Sequence, residues 1–221
     1  MNWDEARNAI YQACMRLERE GLIAESSGNV SVRLSEVDGR ELIAITPSGV
    51  PYRGLKAGQV LVIDFEKNVV DGEGLPSSET NTHFAAYRAR ADVQAVIHSH
   101  SPYASALAVA GHDIPPLLDE QVVGLGGGVL VAEFGLSGSD QLGANAVAAM
   151  GERQAVLLRS HGVLGVGRDL DEAMAVVGQV ERVAKIYLLA RLLGDVEPLP
   201  ANIVEMEQKF YRMKHGFPVE G

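Results

Sequence analysis

Two histidines, His98 and His100, close an apolar run at residues 93–97. Such a run predicts a β-strand, in which residues i and i+2 face the same side. Two imidazoles directed at one point are a common geometry for Zn²⁺ ligands. A third histidine, His161, follows the apolar run 155–158. Catalytic zinc usually has three protein ligands and an open position, so the pattern predicts a three-histidine metal site. The alternative is that all three are hydrogen-bonded structural histidines.

One carboxylate, Glu79, is suited to serve such a site. It follows Ser77-Ser78 at the start of a helix predicted over residues 79–90, with Ser77 or Ser78 as the N-cap. Beside a metal ion, a carboxylate can act as a ligand or remove a proton from a substrate. A glutamate in a first helical turn also commonly compensates the helix dipole, so the position alone leaves both roles open.

Three short loops are rich in Ser, Gly, Asn and Pro, at residues 26–29, 46–49 and 76–78. Backbone N–H groups and hydroxyls in such loops can bind phosphate without basic side chains, particularly near a helix N-terminus. Each loop could also be an ordinary turn. A phosphate site of this kind would suit an acidic protein.

The composition narrows the class of protein. The chain has 221 residues, 47% of them apolar, and a net charge of -10, which argues against a nucleic-acid or anionic-membrane partner. No apolar run approaches the roughly 18–20 residues that span a bilayer, and the N-terminal segment does not resemble a signal peptide. The single cysteine, Cys14, favours a reducing compartment and a role as a small buried hydrophobe. We therefore expect a cytoplasmic protein.

The elements that would position these residues follow from periodicity and turn signals. Clustered strands followed by long helices favour one domain over residues 1–221, with a largely antiparallel sheet covered by helices. The glycine run 124–128 opens no helix, which argues against a Rossmann fold. Helices are predicted over residues 4–20, 79–90, 102–110, 139–150, 170–193 and 202–214, and strands over 29–34, 41–45, 60–65, 68–70, 93–98, 129–132, 155–158 and 163–166.

Five motifs are distributed over nearly the whole chain: Ser27-Gly28-Asn29-Val30-Ser31-Val32-Arg33, Ile45-Thr46-Pro47-Ser48-Gly49-Val50-Pro51-Tyr52, Leu75-Pro76-Ser77-Ser78-Glu79, His98-Ser99-His100 and His161-Gly162. In this order they resemble the class II aldolase/adducin family. The resemblance implies an α/β protein with a three-layer α/β/α fold and a central, mostly antiparallel sheet. It also implies a homotetramer with active sites between subunits, and a C-terminal tail, residues 202–221, near a neighbouring subunit's active site.

The same resemblance implies roles for individual residues. His98, His100 and His161 would bind one Zn²⁺ per subunit, or another divalent metal, and Glu79 would be a fourth ligand that moves away to act as the catalytic base. A carboxylate with a raised pKa would suit that proton transfer. The substrate would be a small sugar phosphate, an L-fuculose-1-phosphate-like ketose 1-phosphate, cleaved reversibly to dihydroxyacetone phosphate and an aldehyde. Its phosphate would be bound by Ser27, Gly28, Asn29, Ser48, Gly49, Ser77 and Ser78.

One departure from the family pattern affects the aldehyde half of the substrate. The family's fuculose-phosphate enzymes have a tyrosine proton donor after the Ile-Pro that matches residues 114–115, whereas this chain has Leu-Asp-Glu-Gln at 118–121. Asp119, Glu120 and Tyr211 remain as candidate donors.

Other members of the family define the alternatives. They are aldolases for 5-deoxypentulose or methylthioribulose 1-phosphate, a pentulose-5-phosphate 4-epimerase, and a related dehydratase. The functional histidine of the epimerase tail would fall at Phe210, which cannot transfer protons. Non-catalytic cytoskeletal members would be expected to lack metal ligands, whereas this chain has the three histidines and the glutamate.

Overall fold

A computed structural model describes residues 2–219 and contains one eight-stranded sheet. Its order is β4-β3-β2-β1-β5-β8-β7-β6, and every neighbouring pair is antiparallel except β6 and β7. The prediction of a mostly antiparallel sheet is confirmed. The strands are β1 (Asn29–Arg33), β2 (Leu42–Ile45), β3 (Leu61–Asp64), β4 (Val69–Asp71), β5 (Ala95–Ser99), β6 (Val131–Ala132), β7 (Ala155–Leu158) and β8 (Gly162–Gly167).

Helices cover both faces of this sheet. The helices α1, α3 and α6 pack on one face, and α2 and α5 pack on the other, which makes the three layers that were predicted. The helices are α1 (Trp3–Arg19), α2 (Thr80–Ala89), α3 (Pro102–Ala110), α4 (Asp119–Leu125), α5 (Asp140–Met150), α6 (Leu170–Leu193) and α7 (Ala201–His215). Within the described residues, no helix is both long and apolar enough to cross a bilayer.

The central strand β5 decides where its histidine points. Ile97 packs in the core beneath α1 and α6, whereas Val96 packs in the core beneath α2 and α5. Because side chains alternate along a strand, His98 faces the same side as Val96, toward α2. The register sets Asn29 of β1 opposite His98. The sheet therefore brings the predicted metal site and the loop before β1 together.

The structure differs from the sequence prediction at several element boundaries. The prediction had no helix at α4, which is only seven residues long, although Asp119 and Glu120 in its first turn and Gly126 at its end are ordinary boundary signals. Two single-turn 3₁₀ helices, Tyr52–Gly54 and Ala57–Gln59, were also missed. Strand β6 is shorter than predicted because Val129 forms an isolated bridge with Ile114 instead.

Cys14 is fully buried in α1. Burial raises the pKa of its thiol to about 12, so it is a neutral thiol at neutral pH and packs as a small hydrophobe. This agrees with the role expected from the sequence.

Candidate active site

The three predicted histidines converge at one end of the sheet. His98 lies in β5, His100 immediately follows that strand, and His161 lies in the turn between β7 and β8. One ring nitrogen from each histidine lies within 4.8 Å of those of the other two. The Nε2 atoms of His98 and His100 are 2.8 Å apart. Sequence spacing alone predicted that the first two would face one point, and the antiparallel pairing of β5 with β8 adds the third.

Hydrogen bonding and burial prepare these rings to bind a metal. The Nδ1–H of His98 donates to the carbonyl oxygen of Val163 at 2.9 Å, which fixes the ring with Nε2 directed into the cluster. Burial, together with the charges of His98 and His161, lowers the pKa of His100 to about 4. Burial also lowers the pKa of His161. Neutral imidazoles are required for metal binding, so this donor set fits a divalent transition metal.

Glu79 faces the same cluster. It is the N-cap residue of α2, one position before the first helical residue, so the prediction that Ser77 or Ser78 caps this helix was wrong. Ser77 instead closes the preceding turn, because the N–H of Thr80 donates to its carbonyl oxygen. The Glu79 carboxylate is 2.9 Å from Nε2 of His98 and 3.2 Å from Nε2 of His161. It is therefore directed into the cluster.

Two neutral donors complete the surroundings of this carboxylate. Asn29 donates from Nδ2 to Oε2 at 2.9 Å, and Ser137 donates from Oγ to Oε1 at 2.6 Å. Burial by itself raises the pKa of Glu79, but the hydrogen bond and charge of His98 and these two donors lower it overall. The expectation of a raised pKa is therefore wrong, because His98, Ser137 and Asn29 favour the ionised carboxylate.

A small cavity of about 180 Å³ joins the three predicted loops to this cluster. The N–H of Ser77 donates to Thr46 O at 3.1 Å, and that of Ser48 to Leu75 O at 2.8 Å, so two of the loops are bonded to each other. The cavity also lies at the N-terminus of α2, where the helix dipole favours an anion. Among residues 2–219, its lining includes no Lys or Arg and consists of Ser26, Ser27, Gly28, Asn29, Pro47, Ser48, Gly49, Ser77, Ser78, Glu79, His100, Ser137 and His161.

Glycine is required at Gly28, within the first of these loops. Its φ is +85°, and a Cβ there would lie 2.7 Å from the carbonyl oxygen of His98. Its own carbonyl accepts a hydrogen bond from the hydroxyl of Tyr52 at 2.5 Å. Only glycine allows the loop to approach β5 this closely. The loop at residues 26–29 and the histidine cluster are thus in direct backbone contact.

Gly162 allows an equally close approach between the two histidine-bearing strands. A Cβ at this position would lie 2.4 Å from Ser99 O and 3.2 Å from ring carbons of both His98 and His100. We expect Gly162→Ala to weaken divalent-metal affinity about tenfold or more, because the rings would be displaced as a second-shell change displaces them. Titration of the metal-free protein with Co²⁺, followed by its visible absorption, measures the change.

The matched control for that variant is Gly178→Ala, since a Cβ on Gly178 in α6 would have no neighbour within 4 Å. It should bind Co²⁺ like the unsubstituted protein. Equal affinity of a folded Gly162→Ala variant would contradict the crowding argument.

The candidate proton donors lie away from this cavity in their own subunit. Tyr211 is buried, and its hydroxyl donates to Glu152 O, which precedes β7, whereas His161 follows β7. Glu120 pairs with Arg182. Asp119 lies in the first turn of α4, and the pKa of Glu207 in α7 is raised, first by burial and then by the charge of Asp119. Within one chain, the structure brings none of the three candidates to the cluster.

Two residues that contact Glu79, directly or through Asn29, were not predicted as site residues. Ser137 belongs to the segment between β6 and α5, and no spacing relates it to the histidines. His83 lies in α2 four residues after Glu79, and its Nε2 is hydrogen-bonded to Asn29. The helical spacing of four was a usable signal for His83, because residues i and i+4 share a helix face.

Comparison with known proteins defines the class. The model of the Class II Aldolase and Adducin N-terminal domain matches residues 8–188. A 5-deoxy-D-ribulose 1-phosphate aldolase from Bacillus thuringiensis serovar kurstaki is 34% identical over 92% of this chain and 94% of its own. The L-fuculose phosphate aldolase of Escherichia coli K12 is 31% identical over 90% of each chain. A solved structure of an L-fuculose 1-phosphate aldolase superposes with a TM-score of 0.87, at 35% identity over 94% of this chain and 96% of that one.

The chain belongs to the class II aldolase/adducin family, as its sequence indicated. It is an α/β enzyme of the metal-dependent aldolase class, a lyase, and its three histidines form a cluster that can hold a metal ion.

Proposed function

We propose that this enzyme uses a divalent metal, Zn²⁺, to cleave a ketose 1-phosphate reversibly into dihydroxyacetone phosphate and an aldehyde. One observation carries the proposal. The carboxylate of Glu79 lies in a single cavity between three histidines and three loops suited to phosphate. This is the set of groups needed to hold a phosphorylated substrate, stabilise an anion and move a proton.

The proposed metal ligands are His98, His100 and His161, with Glu79 as a fourth ligand when no substrate is bound. The lowered pKa values of His100 and His161, and the direction of Nε2 of His98 into the cluster, support this assignment. When bound, the metal supplies Lewis-acid stabilisation of the negative charge that develops on the substrate during cleavage.

The remaining chemistry is assigned to the chain's own side chains. The hydroxyls and backbone N–H groups of the three loops anchor the phosphate, which fixes the sugar relative to Glu79. Glu79 accepts a proton from the substrate and returns it as the cycle closes. Asn29 and Ser137 orient the carboxylate for both transfers.

Two exposed apolar residues close in sequence to Ser137 favour a second candidate substrate class. Phe134 and Leu136 are exposed and precede Ser137, which donates to Glu79. An apolar aldehyde tail would suit such a segment better than a polyhydroxylated one. A relative 34% identical to this chain is named for 5-deoxy-D-ribulose 1-phosphate. A 5-deoxypentulose 1-phosphate is therefore the leading alternative to an L-fuculose-1-phosphate-like substrate.

A retro-aldol screen tests these proposals together. The enzyme, loaded with Zn²⁺, is incubated separately with L-fuculose 1-phosphate, 5-deoxyribulose 1-phosphate and methylthioribulose 1-phosphate, and dihydroxyacetone phosphate is measured through a coupled reduction. We expect dihydroxyacetone phosphate from at least one sugar, and essentially no dihydroxyacetone from the same sugar without its phosphate, because the loops would then lack their ligand. A product lacking this triose, such as an epimer or a dehydrated sugar, would overturn the aldolase assignment.

The assembly of the enzyme stays a prediction. We propose a homotetramer in which the C-terminal tail, residues 202–221, lies near a neighbouring subunit's active site; residues 220 and 221 lie outside the described part of the chain. Within its own chain, α7 packs on α4, and Gln208 donates to Gly126 O at 3.1 Å. Light scattering after gel filtration gives the number of subunits directly.

A further inference from the structure

A line of buried side-chain hydrogen bonds runs from the interior of the protein to Glu79. The hydroxyl of Tyr87 is 2.8 Å from Oγ of Ser31, which is 2.6 Å from Nδ1 of His83. Nε2 of His83 is hydrogen-bonded to Oδ1 of Asn29, whose Nδ2 donates to Glu79 at 2.9 Å. All five side chains belong to buried residues. The mechanism proposed above uses only the last two of them.

Two periodicities of the chain create this line. Glu79, His83 and Tyr87 are spaced by four residues, so they share one face of α2 and its N-cap. Asn29 and Ser31 are spaced by two, so they share one face of β1. The helix face and the strand face meet, and their side chains alternate along the contact. The packing of α2 against β1 therefore places these five side chains in one hydrogen-bonded line.

The donors in this line have one consistent direction. An ionised carboxylate can only accept, so Asn29 must present its N–H to Glu79 and its carbonyl oxygen to His83. That oxygen needs a donor, which only an Nε2–H of His83 supplies. His83 is fully buried, and burial, followed by the charge of His98, lowers its pKa to about 3. A neutral ring protonated on Nε2 accepts at Nδ1 from Ser31, which in turn accepts from Tyr87.

We propose that His83 is a positioning residue, whose Nε2–H holds the Asn29 amide in the orientation that donates to Glu79. Without this donor, the amide can rotate and turn its own oxygen toward the carboxylate, which repels it. Glu79 then loses one of its two neutral donors. This inference rests on the proposed role of Glu79 as the base.

A double-mutant cycle tests whether His83 acts through Asn29. We expect His83→Leu to lower kcat about 10- to 100-fold, the range typical of groups that orient a reacting residue, with a smaller change in KM. We expect His83→Gln, which keeps an N–H donor, to recover at least about tenfold of that loss. In an Asn29→Ala background, His83→Leu should cost less than about twofold, because the amide it orients is gone.

A merely structural histidine gives a different result. It would lower activity by the same factor with and without Asn29, and Gln would not restore kcat. Thermal unfolding of each variant shows whether it is folded. Equal losses in the two backgrounds, or no loss in a folded His83→Leu variant, would overturn the inference.

A second measurement needs neither metal nor turnover. Nitrogen-15 NMR of the metal-free protein should show His83 neutral near pH 7, with the proton on Nε2 and not on Nδ1. The side-chain amide resonances of Asn29 should shift in His83→Leu, because the amide rotates there, and should stay in place in His83→Gln. The opposite tautomer would refute the proposed direction. If the proposed function fails, the unsubstituted enzyme has no retro-aldol turnover, whereas failure of this inference leaves that turnover intact.

Discussion

Replacing Glu79 by glutamine is expected to lower kcat about 10²- to 10⁴-fold, the contribution typical of a positioned acid–base group. The amide has nearly the same size, but it cannot accept the proton that the carboxylate takes from the substrate. The three histidines proposed as ligands are unchanged, so metal should remain bound. Steady-state rates with the best sugar of the retro-aldol screen, and metal content by elemental analysis, measure both effects on one preparation.

The control for this variant is Glu133→Gln, an exposed glutamate four residues before Ser137. It changes the net charge equally and should keep the original kcat. A folded Glu79→Gln variant with unchanged kcat would remove Glu79 from the role of base. Loss of metal together with activity would instead make the carboxylate an essential ligand, because the three rings alone would then not hold the ion.

The histidine cluster could be predicted because each of its signals lies within a short stretch of sequence. An apolar strand followed by His-x-His fixes the direction of two rings, and the second apolar run before His161 places a third ring at a strand end. The serine- and glycine-rich loops could also be predicted, because their residue types are typical of turns and one of them precedes a predicted helix. What the sequence could not supply is the pairing of β5 with β8 and β1, which brings these local signals to one cavity.

The residues that sequence analysis missed act through contacts across the fold. Ser137 reaches Glu79 over a separation of 58 residues, and His83 reaches Asn29 over 54. Neither belongs to a local pattern with a known chemical meaning. The N-cap of α2 was misassigned for a related reason. A serine before a helix usually caps it, but here Ser77 closes the turn between the loops and the helix begins after Glu79.

Removing one of the three clustered imidazoles is expected to affect both metal binding and turnover. We expect His98→Ala to weaken divalent-metal affinity by more than about 100-fold, since loss of a ligand should exceed the 10–100-fold cost of a second-shell change. Turnover should fall with metal occupancy, and a chelator should abolish it in the unsubstituted enzyme.

His112→Ala is the matched control, because His112 is exposed and lies outside the cluster. The deciding measurement is metal content after dialysis. A His98→Ala protein that retains full occupancy would show that the metal lies elsewhere, since Nε2 of His98 lies between His100 and Glu79.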